Sequence, residues 1–383
     1  MQPETNLLII GAGPFGLAMA AYAQQHAIDH CVVGKPMEFW KAHMPRRMYL
    51  RSGCDWHLDP SNTHTIEAYL ETKGLGVKDV EPLSLDVYLD YTTWFQDQMA
   101  ITSRPAMVQR LDYADQGGHS FTATTETGET IRAKQVVLAI GMQYFHHVPQ
   151  EYTQMFPAGR YEHTCNLVDF EHLAGKRCLI VGGRQSAFEW AALLYEAGAA
   201  ALHLSYRHAT PAFTTSDWSW VMPLVDGMVA QPSWYRRLPP EQQTEVQQRL
   251  WAEGRLKLEP WLAERIMHDD IKLWPHSRVE DCRERSDGAL EVQLDNGTCL
   301  TVDQVILATG YKVDMRRVPL LNAGNILDRL EMRGGYPVLD EHFQSSVPGL
   351  FFTSFAAGQD FGPFFGFTAG ARTAAKIIGA ALA

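Results

Sequence analysis

The stretch Leu7-Leu8-Ile9-Ile10-Gly11-Ala12-Gly13-Pro14-Phe15-Gly16 decides the fold. Four apolar residues in a row read as a buried parallel strand. The G-x-G-x-x-G after them opens onto Leu17–Ala27, an alanine-rich segment that reads as a helix. Each glycine has a job in dinucleotide binding. Gly11 permits the tight turn, Gly13 lets the backbone approach a pyrophosphate, and Gly16 lets helix and strand pack closely. The helix start then offers unpaired N–H groups and a positive dipole end to the phosphates. Pro14 and Phe15 fill the variable places of the turn and count with it as cofactor-binding residues. In one respect the unit departs from the pattern. Its second strand, His30–Val33, should lead to an acid for a ribose hydroxyl, and it leads instead to Gly34-Lys35, with Glu38 the nearest acid.

A second unit begins at Cys178-Leu179-Ile180-Val181, followed by Gly182-Gly183-Arg184-Gln185-Ser186-Ala187. Phe188–Gly198 reads as its helix and Leu202–Tyr206 as the next strand. Arg184 occupies the place of the second glycine. Either the backbone shifts there, or the guanidinium itself contacts phosphate. Arg207, just past that strand, favours NADPH over NADH, because an arginine there can meet a 2′-phosphate. A solvated surface arginine is the plain alternative.

The two units share a longer pattern. In the first, the hairpin around Glu126–Glu129 leads to Val136–Gly141. In the second, the hairpin around Asp295–Gly297 leads to Val305–Gly310, so the spans from Gly11 to Gly141 and from Gly182 to Gly310 are closely equal. A duplicated unit of this kind predicts an α/β fold with two Rossmann-like dinucleotide-binding domains. The expected layout is a discontinuous FAD-binding domain, residues 1–155 and 305–383, and an NAD(P)H-binding domain, 156–304. Gly141, Thr309 and Gly310 close the two sites. Residues 210–276 hold Trp218, Trp220, Trp234, Trp251, Trp261 and Trp274, six of the ten tryptophans, and read as a helical insertion in the second domain. Its plainer role is a satellite core or a homodimer contact; the alternative is a substrate-pocket lining.

Composition bounds the rest. With 46% hydrophobic residues, 20% charged and a net charge of −11, the chain reads as globular, and neither nucleic acid nor an anionic membrane is an expected partner. Met1–Asn6 carries no basic leader, and no apolar run reaches membrane-span length. The six cysteines are scattered without a C-x-x-C, which points to a reducing cytoplasm and to no metal site. It also disfavours a disulfide reductase, which needs a dithiol beside its flavin.

With both turns and Val305–Tyr311, nearly the whole chain outside the Trp-rich segment resembles the class B flavoprotein monooxygenases, among them the N-hydroxylating and flavin-containing enzymes. Gly159-Arg160-Tyr161-Glu162-His163 keeps the Gly-to-His spacing of their F-x-G-x-x-x-H-x-x-x-(Y/F) motif, with Phe156 one place early and Leu167 where an aromatic should stand. The loop Phe39–Pro45 through Met48–Gly53 looks like the one these enzymes place by the flavin, and Trp40 and Lys35 join the cofactor set. This loop and Gly182–Trp190 are also similar to a bacterial FAD-dependent urate hydroxylase type. The resemblance implies that NADPH reduces FAD and that O₂ then supplies one oxygen atom, through a C4a-(hydro)peroxyflavin, to a small nucleophilic substrate. Little side-chain catalysis is implied. Arg51, Asn166 and Gln359 are the candidates nearest the reaction, with Asp55 and His57 behind them. An NAD(P)H oxidase or flavin reductase, and a non-catalytic redox sensor, remain open alternatives.

Overall fold

A computed structural model describes residues 4–114 and 121–382; Met1–Pro3, part of the segment read as lacking a leader, lie outside that description. Strand β1 (Glu4–Ile10) runs into helix α1 (Pro14–Gln25). The helix starts at the turn itself, earlier than expected, because Pro14 takes the first helical position, where its missing N–H leaves no bond unmade. The first sheet adds β2 (His30–Val33), β3 (Ser103–Arg104), β4 (Val108–Tyr113), β5 (Phe121–Thr125) and β6 (Thr130–Leu138) in the order β3-β2-β1-β6-β5-β4. β6 pairs parallel with β1 on one side and antiparallel with β5 on the other, so a single strand carries both the hairpin and the parallel layer.

The second unit contains β7 (Tyr161–His163), β8 (Arg177–Val181), α2 (Gln185–Glu196) and β9 (Ala201–Ser205). After a helical excursion come β10 (Ile271–Trp274), the antiparallel strands β11 (Val279–Glu284), β12 (Leu290–Leu294) and β13 (Cys299–Val302), and then β14 (Gln304–Leu307). The parallel sheet has the order β10-β9-β8-β14-β7. Here the long strand of the first unit is broken in two: β13 and β14 are separated at Asp303, whose carboxylate accepts from the Arg177 backbone N–H (2.9 Å) and from its guanidinium (2.7 and 3.0 Å).

Two expected boundaries move. β14 pairs with β7 and β8, so the chain leaves the second sheet after Leu307 and not at 305. Trp274 belongs to β10, which pairs parallel with β9, so the insertion ends before Ile271. The chain then returns to the first sheet, where β15 (Leu350–Phe352) pairs with β6. It finishes in α3 (Ala371–Leu382), packed so closely on α1 that a Cβ on Gly379 would stand 2.0 Å from the Tyr22 ring.

The insertion forms no satellite core. Val221, Val225, Met228, Tyr235 and Leu250 join the hydrophobic core of the first unit, whereas Leu258, Leu262 and Ile266 join that of the second. A segment inserted in one domain therefore buries itself against both. Among the described residues no helix is long and apolar enough to cross a membrane.

Candidate active site

A cleft of about 1110 Å³ lies at the carboxyl ends of the parallel strands, and the first glycine turn and the start of the helix after the second open onto it. At the first turn, Gly11 has φ +111°, and a Cβ there would sit 2.3 Å from the Ala139 carbonyl. A Cβ on Gly16 would lie 1.8 Å from the Gly11 carbonyl. A Cβ on Gly13 would meet nothing within 4 Å and would project into open space. Packing therefore requires two of these glycines, and the third keeps a backbone surface bare. The N-terminus of α1 has no side-chain cap, so its first amides are left for an outside acceptor. The arrangement fits a dinucleotide pyrophosphate.

Gly11, Gly13, Pro14, Phe15, Lys35, Trp40 and Gly141 all line the cleft. Gly16 lies behind it as a packing residue. Glu38, three residues past Lys35, lines the cleft as well, so an acid does reach the region where the ribose contact was expected.

The second turn is built differently. Gly182 (φ +147°) and Gly183 pack against Ala308 and the Tyr206 ring, where added Cβ atoms would come within 2.6 and 2.4 Å. Arg184 needs no backbone shift: it stands just before α2 in an extended conformation (φ −112°, ψ −179°), close to that of Gly13 (φ −84°, ψ −171°), and its side chain makes no capping bond. Its side chain swings away from the turn, donates Nη1–H to the Arg255 carbonyl at 2.6 Å and lies over the Trp251 ring at 4.8 Å. Gln185, Ser186 and Gly310 line the cleft; Gly182, Gly183, Arg184 and Thr309 do not. Thr309 donates its hydroxyl to the His147 carbonyl. Arg207 is exposed beyond β9, outside the lining.

Of the three residues expected nearest the reaction, two line the cleft. Arg51 is fully engaged: Nε donates to Glu259 Oε1 (2.8 Å), Nη1 to the Gly254 carbonyl (2.6 Å), and Nη2 to Ser216 Oγ (2.6 Å) and the Glu253 carbonyl (3.2 Å). It clamps the insertion over the loop that carries it. Gln359, with its amide oxygen turned to the guanidinium of Arg333, accepts from Nε (2.8 Å) and Nη2 (3.0 Å) and donates to the Arg333 carbonyl (2.9 Å). Asn166 is exposed and lies outside the lining. His57 is buried, and Arg372 donates to its Nε2 at 2.6 Å. Burial, then the Arg372 charge, push this imidazole down to about 4. Arg372 also reaches the Asp55 carbonyl (3.0 Å) and Asp226 of the insertion (3.3 Å).

The motif histidine, His163, stands at the junction of the two units. Its Nδ1 accepts from the Cys165 amide (3.0 Å), which leaves Nε2 to donate to the Gly310 carbonyl (3.2 Å). Burial first and His146 second hold it neutral, at about 4. Across the same junction the His43 ring meets the Cys165 carbonyl at 2.8 Å.

Several lining residues have no counterpart among the expected ones. Glu189 is 2% exposed, and burial raises its carboxyl to about 7 against the pull of Arg265, 3.1 Å away. The insertion contributes Gln243, Gln247, Trp251 and Arg255. Their four-residue spacing on a 16-residue helix was the available signal, since it places all four on one face.

Comparison with known proteins agrees with this architecture. Over 219 residues the chain is 27% identical to an FAD-dependent urate hydroxylase of Xanthomonas campestris, a match covering 53% of this chain and 45% of the hydroxylase. The chain thus spans about half the length of that relative. It is 24% identical to a ferredoxin–NADP reductase of Thermus thermophilus over 359 residues, covering 91% of this chain and 83% of the reductase. In structure it resembles an ornithine N-hydroxylase of Kutzneria with a TM-score of 0.79, 99% of each chain covered and 15% identity; at that identity the likeness is one of fold. The family described as pyridine nucleotide-disulphide oxidoreductase matches residues 5–358, which takes in both glycine turns, both sheets and the strand that returns to the first. This chain belongs to the pyridine nucleotide-disulphide oxidoreductase family.

Proposed function

We propose that the chain is an FAD- and NADPH-dependent monooxygenase acting in the cytoplasm on a small nucleophilic substrate, of the N-hydroxylated or urate-like kind. The observation that carries the reading is one cleft shared by the uncapped starts of α1 and α2 and roofed by the insertion. The turn at Gly11–Gly16 would hold FAD, and Gln185 and Ser186 on α2 would meet the nicotinamide nucleotide. Bound FAD would supply two-electron acceptance from NADPH and the activation of O₂. One oxygen atom goes to the substrate and the other leaves as water.

The chain's own part is to bind, orient and keep water out. Arg51 holds the roof, Trp40 and Phe367 supply apolar walls, and the Arg333–Gln359 pair fixes a carboxamide at the cleft surface. All six cysteines are free thiols and none lines the cleft. Dithiol chemistry of the kind in the family's name therefore has no thiol among the residues lining the cleft.

A second reading is favoured by one observation: the reductase relative matches 91% of the chain, which suits a flavin reductase that passes electrons on without oxygen transfer. The deciding experiment is NADPH oxidation by the FAD-loaded protein in ¹⁸O₂, with amines, amino acids and oxopurines as trial substrates. Label in a product at one atom per NADPH supports the monooxygenase. Stoichiometric H₂O₂ with every substrate, or rapid electron transfer to ferredoxin without label, refutes it.

A further inference from the structure

The helix of the insertion, α-helical from Pro240 to Arg255, spans the cleft. From Gln243 to Arg255 it covers about 18 Å at 1.5 Å per residue. Its first half rests on the first unit: Gln247 donates to the Tyr235 hydroxyl at 2.8 Å, and the Tyr235 ring lies against Gly362. Its last turn reaches the second glycine turn and is tied there twice. Arg51 Nη1 holds the Gly254 carbonyl and Arg184 Nη1 holds the Arg255 carbonyl, both at 2.6 Å.

These ties fix the backbone of Arg255 and leave its side chain unused. No hydrogen bond or ion pair to the Arg255 guanidinium is present among the described residues; the residue is exposed and lines the cleft. The nearby carboxylates are already occupied. Glu253 accepts from Lys257 and from the Asp217 amide, and Glu259 accepts from Arg51. The other charges near it are positive. Arg184 is held by its carbonyl, and the charges of Arg184 and Arg51 both act on it. A cation in such a place gains most when an anion arrives. The uncapped start of α2, with Gln185 and Ser186 on the cleft surface, opens beside it.

We infer that Arg255 is the anion-binding residue of the second nucleotide site and grips a phosphate of the nicotinamide nucleotide. This rests on the proposal that the chain uses NADPH. Arg184, in the glycine's place, does not touch phosphate itself; it positions the residue that does. The phosphate cradle that Gly13 leaves to backbone in the first unit is completed here by a side chain from the insertion.

The test is titration of the FAD-loaded protein with NADP⁺ and with NAD⁺, monitored by quenching of tryptophan fluorescence, for the wild type, Arg255→Ala and Arg255→Lys. Flavin absorbance and circular dichroism check that each variant is folded and loaded. Arg255→Ala is expected to weaken NADP⁺ binding by about 10- to 100-fold, with part of the loss restored in Arg255→Lys. Loss for NADP⁺ alone assigns the 2′-phosphate, and equal loss for both nucleotides assigns the pyrophosphate; either supports the inference. Unchanged affinities for both overturn it. Unchanged nucleotide affinities with weakened binding of a carboxylate probe such as glutarate also overturn it, by making the anion a substrate carboxylate. A wild type that binds neither nucleotide refutes the NADPH reading instead.

Discussion

Replacing Arg51 by methionine should loosen the insertion without unfolding the sheets. The side chain is 17% exposed and its partner Glu259 12%, so the pair is largely removed from water. Removal of one partner from a buried pair costs about 3–5 kcal/mol, because the other charge is left uncompensated. The solvent still reaching both groups argues for the low end, about 3 kcal/mol. Three further acceptors, the carbonyls of Gly254 and Glu253 and the hydroxyl of Ser216, lose their donor at once. Since 1.4 kcal/mol is a factor of ten, local opening of residues 214–259 should become roughly 100-fold more frequent. Hydrogen exchange read by mass spectrometry is the assay: amides of 214–259 should exchange about 100-fold faster while those of β1 and β6 keep their protection. In the proposed monooxygenase, water entering under the roof should also raise the H₂O₂ released per NADPH. Arg51→Lys should fall between, because an ammonium cannot meet four acceptors in the planar arrangement a guanidinium uses. Adding Glu259→Gln to Arg51→Met should restore part of the protection by removing the stranded charge. Unchanged exchange in 214–259 in Arg51→Met would refute the clamp.

Other perturbations separate the roles of neighbouring residues. Gly13→Ala should fold normally, since its Cβ meets open space, yet purify with little flavin; a normal flavin-to-protein absorbance ratio would show that no pyrophosphate passes there. Gly16→Ala should yield little folded protein, because its Cβ would stand 1.8 Å from a backbone carbonyl. Burial raises Glu189 to about 7, so between pH 4.5 and 7 the folded chain holds a proton that the unfolded chain has released. This contribution to stability is full below pH 4.5 and declines as pH rises through 7. Glu189→Gln should flatten the fall in melting temperature across that window, and a slope identical to the wild type would contradict it. Asp303, held down to about 2 chiefly by its hydrogen bonds from Arg177, contributes in the opposite sense, present above pH 4 and lost as pH falls towards 2. Asp303→Asn should cost about 1 kcal/mol at pH 7, discounted because the pair is part-exposed, and nothing near pH 2, as measured by denaturant unfolding.

The two glycine turns, their strands and the repeat were legible because local rules fix them: apolar runs, a glycine wherever a side chain would collide, and a hairpin before each closing strand. Leu7–Gly16 could hardly have been anything else. Contacts between distant segments were not legible. Arg51 reads as a polar residue near a flavin loop, and only the fold reveals that its acceptors lie more than 160 positions on. Asn166 comes directly after three buried residues, yet the turn at Cys165 carries it outward. A domain boundary at 305 cuts through the closing strand that the repeat assigns to the second unit, and after the break at Asp303 β14 does stay in the second sheet. The helix Pro240–Arg255 is mostly polar; the four-residue spacing of Gln243, Gln247, Trp251 and Arg255 marks one face of it, but the cleft which that face crosses is not written in the sequence.

The insertion that leaves the second unit after β9 completes the core of the first unit with Val221, Val225, Met228 and Leu250. This has a consequence for modular exchange. A graft that replaced residues 156–307 with the nucleotide unit of a relative would strip packing from the recipient as well as change its coenzyme preference. Expression of that unit alone would present the same side chains to water as a sticky face. The two halves are therefore joined less like beads on a string than like a hand in a pocket, and successful recombination would cut on either side of 210–270 and leave that segment with its host.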